Sequence, residues 1–121
     1  MQWTLDLPYE RPPLHANQRL HWAKKAALTK QVRAASFWAA KDAGIPTCGR
    51  VRVTLTWFVR TTTRRDADNV VPTLKALCDG LVDAGVVPDD TPDLMQKLMP
   101  VIVYRPGQPS GLQLLIEEVW T

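Results

Sequence analysis

The chain has 121 residues, of which 45% are hydrophobic and 22% are charged, a composition that predicts one globular domain over residues 1–121 and excludes a long disordered tract. The net charge of +3 conceals an uneven distribution, because residues 1–65 carry 12 basic and 3 acidic side chains whereas residues 66–121 carry 3 basic and 9 acidic ones. A basic half able to hold phosphates therefore precedes an acidic one, unless folding interleaves the two into a mixed surface.

Two cysteines are too few for a disulfide framework or a zinc site. The chain does not begin with a basic region followed by an apolar run, as a signal peptide would. No stretch approaches the roughly 18 apolar residues of a membrane span. We therefore expect a cytoplasmic protein that has no membrane association.

The first part of the chain predicts a strand, a loop and a long helix. Residues 3–7 alternate between apolar and polar side chains, as a strand does, and residues 8–22 form a proline-rich loop. Residues 20–43 contain no proline or glycine and many alanines, which predicts a helix that ends before Gly44. Its expected core-facing stripe is Leu28, Val32, Ala35 and Ala39.

The second part predicts a strand, a helix and two more strands. Strict alternation marks residues 51–59 as a strand, and residues 72–84 predict a helix ended by Gly85. Residues 96–105 and 112–119 are expected to be strands joined as a hairpin. The order β-α-β-α-β-β predicts an α+β domain with two helices packed on a mixed or antiparallel sheet. The expected core residues of the second helix are Leu74, Leu77, Leu81 and Ala84.

The segment RRDADN, residues 64–69, places two aspartates between a strand end and a helix start. In an extended backbone Asp66 and Asp68 would point to the same side, as oxygen ligands of Mg²⁺. Asp89 and Asp90 follow the second helix and would need a return loop to join them. Capping by Asp68 or Asn69 is the alternative, although it would explain neither the first aspartate nor the second pair.

Other chemistry lacks support in the sequence. The segment lacks the third ligand and the glycine of an EF-hand loop, and the chain contains neither GxxxxGK[ST] nor GxGxxG. We therefore expect no nucleotide cofactor.

The stretch RRDADN…LKALCDGLVDAGVVPDD resembles the signature of the RusA family of Holliday junction resolvases, in which D-x-D-N precedes K-x-x-x-D-[AG]-L and an acidic pair follows an AG turn. PPLHANQRLHW is similar to the family's early P-P-x-x-N loop. The resemblance implies a small, dimeric, Mg²⁺-dependent endonuclease of a bacterial or phage-infected cell, with Mn²⁺ as an alternative ion. It also implies that Asp66, Asp68 and Asp90 are the metal-binding catalytic carboxylates, with Asp89 beside them.

The lysine of the motif departs from the family pattern. That pattern has it four residues after the second aspartate, where this chain has Pro72, and Lys75 lies three residues further on. A proline at the first position of the helix would put Lys75 in the first turns, where it could reach the site as a catalytic residue. It could instead pair only with Asp79, four residues later.

The expected function is symmetric hydrolysis of four-way (Holliday) junctions by a homodimer, in DNA recombination, repair or phage DNA processing. Alternatives are a catalytically silent DNA-binding or regulatory protein and an endonuclease acting on flaps or forks. Since the carboxylates would repel one another, asparagine at each is expected to leave folding unharmed. The residues that we expect to contact DNA are Arg11, Asn17, Arg19, Lys24, Lys25, Lys30, Arg33, Arg64 and Arg65. For the basic residues of the first helix and of the loop before it, a solvated helix face is the alternative.

Overall fold

The computed structural model describes residues 1–119, and in that range the α+β prediction is confirmed, with five strands in a mixed sheet and two α-helices. The elements in chain order are β1 (Gln2–Leu7), α1 (Trp22–Asp42), β2 (Val51–Val59), a 3₁₀ turn (Ala67–Val70), α2 (Val71–Asp83), β3 (Met95–Lys97), β4 (Val101–Tyr104) and β5 (Gly111–Glu118).

The sheet is built around β2, whose alternating pattern buries Val51, Val53 and Leu55. Its strands lie in the order β1-β5-β2-β3, with β4 on the same edge of β2 as β3. β5 is antiparallel to both β1 and β2, whereas β3 and β4 run parallel to β2. The sheet is therefore mixed, and its parallel edge carries β3 and β4, which follow the loop that contains Asp89 and Asp90.

The prediction of one strand over residues 96–105 is wrong, because the segment is divided around Pro100. From Val53 to Thr56, β2 advances three residues, whereas its partner advances four, from Lys97 to Val101. Proline has no N–H to donate to a ladder, so pairing stops before Pro100 and resumes after it with one residue gained.

The predicted hairpin between the last two strands is also wrong. β4 and β5 both pair with β2 but on opposite edges, so the connection between them crosses the end of β2. Local turn residues do not determine which edge of a sheet a strand joins.

The two helices pack closely where Gly80 of α2 meets α1. A Cβ at Gly80 would overlap the Ser36 Oγ and the backbone O of Arg33. Ser36 is fully buried, and its hydroxyl donates to the carbonyl of Leu77 at 2.8 Å. The predicted stripe of α1 is confirmed at Val32, which is buried, and at Leu28 and Ala39, which pack against the core. Ala35 is only half-buried, and Ser36 takes its place in the core.

The core face of α2 is as predicted, with all four expected residues buried. Gly85 has a φ of 81°, which ends the helix in the left-handed region that glycine adopts at low cost. Neither helix within residues 1–119 is long and apolar enough to cross a membrane.

Candidate active site

The RRDADN segment, residues 64–69, which we call the acidic motif, leads from the end of β2 to the start of α2. Asp66 is extended, with φ −106° and ψ 127°, and the 3₁₀ turn begins at the next residue. The premise that both aspartates lie on one extended segment is therefore wrong, since Asp68 lies inside the turn. Both residues are exposed to solvent.

Helix capping does not account for these aspartates. Asp66 occupies the N-cap position of the 3₁₀ turn, yet its side chain makes no capping hydrogen bond. The N-cap of α2 is Val70, which offers no side-chain acceptor. The start of α2 is stabilised instead by Pro72, at a position where a missing N–H costs little, as the sequence predicted.

The proline-rich loop is hydrogen-bonded to the start of α2 and to Asn69 of the acidic motif. The backbone N–H of Leu14 donates to Thr73 Oγ1 at 3.1 Å, and the Thr73 hydroxyl donates back to the Leu14 carbonyl. The N–H of Ala16 donates to the carbonyl of Asn69 at 3.2 Å. Thr73 is fully buried, so these bonds fix the loop beside the acidic segment.

Four charged side chains meet beside α2. Lys75 Nζ lies 2.9 Å from Asp79 Oδ1 and 2.6 Å from Asp90 Oδ2. Lys97 Nζ approaches the same Asp90 Oδ2 at 2.9 Å. We call Lys75, Asp79, Asp90 and Lys97 the charge cluster.

The topology explains how the cluster forms. Lys75 and Asp79 are one helical turn apart on α2, and after Gly85 the chain reverses direction. The return loop is held by the buried Val86, whose carbonyl accepts the N–H of Cys48 at 2.7 Å. The return loop brings Asp90 to Lys75, which pairs both with Asp79 and with Asp90. The expected return of Asp89 and Asp90 to Asp66 and Asp68 stays a prediction.

The charge cluster fixes the ionisation of its members. Hydrogen bonds from Lys75 and then from Lys97 hold the pKa of the Asp90 carboxyl well below its usual range. Hydrogen bonds to Asp90 and then to Asp79 raise the pKa of the Lys75 ammonium above its usual range. Burial raises the pKa of the neighbouring Cys78 thiol to about 12, so this sulfur remains protonated. Because two ammonium groups hold the Asp90 carboxylate, replacing it should weaken the fold, contrary to the expectation from mutual repulsion.

Lys97 is the functional candidate that the sequence analysis missed. It lies at the end of β3, and only the pairing of β3 with β2 brings it to Asp90. Its side chain is 27% exposed, compared with 55% for Lys75, so it is the more enclosed of the two cations. The one available signal was a lysine in a mainly apolar stretch.

The other aspartates have different surroundings. Asp89 Oδ1 accepts the backbone N–H of Asp90 at 2.8 Å, which is a local turn contact. Asp66 Oδ1 lies 3.8 Å from Arg64 Nε, at the limit of an ion pair. Within residues 1–119, Asp66, Asp68 and Asp90 are not part of a group of three or more His, Cys, Asp or Glu side chains that could hold one metal ion.

The two arginines of the motif have different roles. Arg65 donates to the carbonyls of Thr61 and Thr63 at 3.1 and 2.9 Å, and its guanidinium lies 5.2 Å from the centre of the Trp57 ring. These contacts hold the loop in shape. Arg64 has a side chain that is 91% exposed and is therefore the arginine available to a ligand.

The remaining candidates for DNA contact differ in how freely their side chains can reach a ligand. Arg33 makes a two-pronged ion pair with Asp83, at 3.1 and 2.9 Å, and this pairing raises the pKa of its guanidinium. The loop residues Arg11, Asn17 and Arg19 are exposed. The exposed lysines of α1, which we call the helix lysines, are Lys24, Lys25 and Lys30.

Three clefts connect these groups. The largest, the motif cleft, has a volume of about 740 Å³ and lies between the proline-rich loop, Trp57 and residues 64–70. It shares His15 with a second cleft, which is lined by Lys75 and Asp79. The second cleft shares Lys25 with a third, which runs along α1. Basic side chains thus follow a path from the acidic motif past the charge cluster to the first helix.

Comparison with known proteins adds one relative. A protein of Xylella fastidiosa (strain Temecula1 / ATCC 700964), described as an uncharacterized protein, is 30% identical over 86 residues. The match covers 67% of this chain and 56% of the relative, so the chain spans little more than half of that protein's length. No protein-family description matches the chain.

Proposed function

We propose that the protein is a metal-dependent endonuclease that cuts branched DNA, with four-way junctions as its main substrate. The observation that carries this proposal is the contact between Lys75 and Asp90, which are 15 residues apart, beside α2, together with the uncapped Asp66 in the segment that precedes this helix. The motif resemblance supplies the reaction class, and the basic path supplies a surface for the DNA backbone.

The side chains present fit a hydrated divalent ion. Mg²⁺ keeps several waters and takes one or two carboxylates together with phosphate oxygens, so a closed cage of three protein ligands is not required. Asp66 is exposed and free of capping bonds. Both lysines of the charge cluster contact Oδ2 of Asp90, and among residues 1–119 its Oδ1 has no hydrogen-bond donor. Of Asp66, Asp68 and Asp90, one or two would hold Mg²⁺ or Mn²⁺ directly and the rest through its bound water, with Asp89 beside them.

The roles of the protein's own groups follow from their exposure and partners. Mg²⁺, when bound, supplies an activated water and offsets charge on the scissile phosphate. Arg64 draws the phosphate towards the acidic motif. Lys75, the more exposed lysine, can turn from Asp90 to the phosphate, while Lys97 keeps the carboxylate oriented. The helix lysines hold the neighbouring backbone.

A homodimer completes the proposal. A four-way junction has two-fold symmetry and is resolved by cutting two strands symmetrically, so two copies related by a two-fold axis match the substrate. A cytoplasmic location in a bacterial or phage-infected cell accords with such a substrate.

The test compares labelled four-way junction, flap, fork and linear duplex incubated with the protein, with and without Mg²⁺. We expect paired, symmetric cuts in the junction that require the ion, and little cutting of linear duplex. Preferential cutting of flaps or forks would replace the junction with those substrates. Tight junction binding without cutting in Mg²⁺ or Mn²⁺ would favour the catalytically silent alternative.

A further inference from the structure

The motif cleft has the composition of a small-ligand site. Its volume of about 740 Å³ lies within the range of roughly 300–1,000 Å³ that is typical of such sites. Tyr9, Trp57 and Val70 provide apolar and aromatic walls, while Arg11 and Arg64 line it with positive charge. Asp66 also lines it, so a bound group would lie beside the acidic motif.

The aromatic wall is held rigidly. Trp57 Nε1 donates to the carbonyl of Glu10 at 3.2 Å, which fixes the indole against the proline-rich loop. Arg65 lies against the ring and is itself tied to the backbone of the 61–65 loop. A rigid wall can stack a flat group without first losing conformational freedom.

The lining of the cleft also offers groups that can read an edge of a flat ring. His15 and Asn69 line the cleft, and the Ala16–Asn69 backbone bond joins their two segments. Among residues 1–119 the Asn69 side chain makes no hydrogen bond, although it is half-buried. A free amide carries both donors and an acceptor.

We propose that the motif cleft binds one unstacked deoxynucleotide of the substrate strand, next to the phosphate that is cut. The base would enter between the aromatic wall and Asn69, and its phosphate would meet Arg11 and Arg64. A base inside a duplex has both faces covered, so the ligand must be unpaired and splayed out, as bases near a branch point can be. The cleft would then read base identity beside the cut. This inference rests on the proposed function only for the position of the cut.

The test uses metal-free protein and no cleavage. Nitrogen–proton correlation spectra would be recorded while dCMP, dTMP, dAMP, dGMP or inorganic phosphate is added. We expect a nucleotide to move the indole N–H signal of Trp57, with one base favoured. The signal of Trp38, which is 62% exposed on α1, should stay in place as an internal control.

Substitutions locate the binding. Arg11→Ala should weaken nucleotide binding about tenfold, as the loss of one charged contact does, whereas Arg60→Ala outside the cleft should not. Asn69→Ala should reduce the difference between bases. If every nucleotide acts as inorganic phosphate does, the cleft is a phosphate site only and the proposal is overturned. It is also overturned if Trp57 and Trp38 shift equally or if no signal moves. Since no cutting is measured, nucleotide binding by a protein that fails to cleave would overturn only the proposed function.

Discussion

The contact between Lys97 and Asp90 predicts a measurable contribution to stability. Lys97→Met keeps most of the side-chain length and removes the ammonium group, so that Asp90 is left with Lys75 alone. The pair is separated by 2.9 Å, with side-chain exposures of 27% and 22%. Charged hydrogen bonds contribute about 1.5–3 kcal/mol when enclosed, and exposed ion pairs contribute about 0.2–1 kcal/mol. For this half-enclosed pair, with Lys75 as a remaining partner, we expect a loss of about 1 kcal/mol.

A double-mutant cycle measured by urea unfolding isolates that contribution. The cycle comprises wild type, Lys97→Met, Asp90→Asn and the double variant, and the expected coupling energy is about 1 kcal/mol. The matched control is the cycle for Arg64 and Asp66, whose groups are 3.8 Å apart with the arginine 91% exposed, and whose coupling should be close to zero. Equal coupling energies in the two cycles would refute the reasoning that Lys97 holds Asp90.

Three further predictions concern pH, packing and DNA binding. Because the pKa of Asp90 is lowered in the folded state, this carboxylate stabilises the protein fully at neutral pH. The difference in unfolding free energy between wild type and Asp90→Asn should therefore shrink only below about pH 4. A difference that does not change with pH down to 2 would contradict this. Gly80→Ala should lower the free energy of unfolding, measured in urea, by about 1–3 kcal/mol, because the added methyl group overlaps α1. Gly49→Ala, whose methyl group would meet open space, should be nearly neutral, and equal losses would contradict the close packing of the two helices. Replacing the helix lysines by alanine should reduce the slope of log DNA affinity against log salt concentration by roughly 0.9 per lost phosphate contact, whereas Arg33→Ala should change this slope little. A larger change from Arg33→Ala than from the lysine replacements would remove the helix lysines from the DNA surface.

The elements that the sequence predicted well are those whose pattern is local. The burial of β2 alternates over residues 51–56, and α2 combines a periodic apolar face with an initial proline and a final glycine. The division of residues 96–105 and the edge chosen by β4 depend on pairing with β2, which local composition does not encode. The misplacement of Ala35 in the core stripe of α1 has a similar cause, because it is Ser36 that lies where Gly80 approaches.

The candidate site divides in the same way. The aspartates and Lys75 lie within one short segment, so its resemblance to a known motif was enough to select them as candidates. Lys97 could not, because it reaches Asp90 only after β3 joins the sheet. The sequence likewise could not show that Arg33 pairs with Asp83 or that Arg65 is hydrogen-bonded to its own loop. An arginine held by other groups and one available to a ligand carry the same charge, so only the folded structure distinguishes them.

The most direct test of the central claim is the rate of junction cleavage in Mg²⁺ by Asp66→Asn and Asp68→Asn, each compared with Asp42→Asn at the exposed end of α1. Asparagine keeps the side-chain volume and removes the charge that a metal ion needs. We predict that both motif variants lose cleavage by orders of magnitude, that their binding to the junction without metal stays equal or tightens, and that Asp42→Asn cuts at the wild-type rate. Near-normal cleavage by Asp66→Asn and Asp68→Asn would contradict the assignment of this motif as the metal-binding centre of a nuclease.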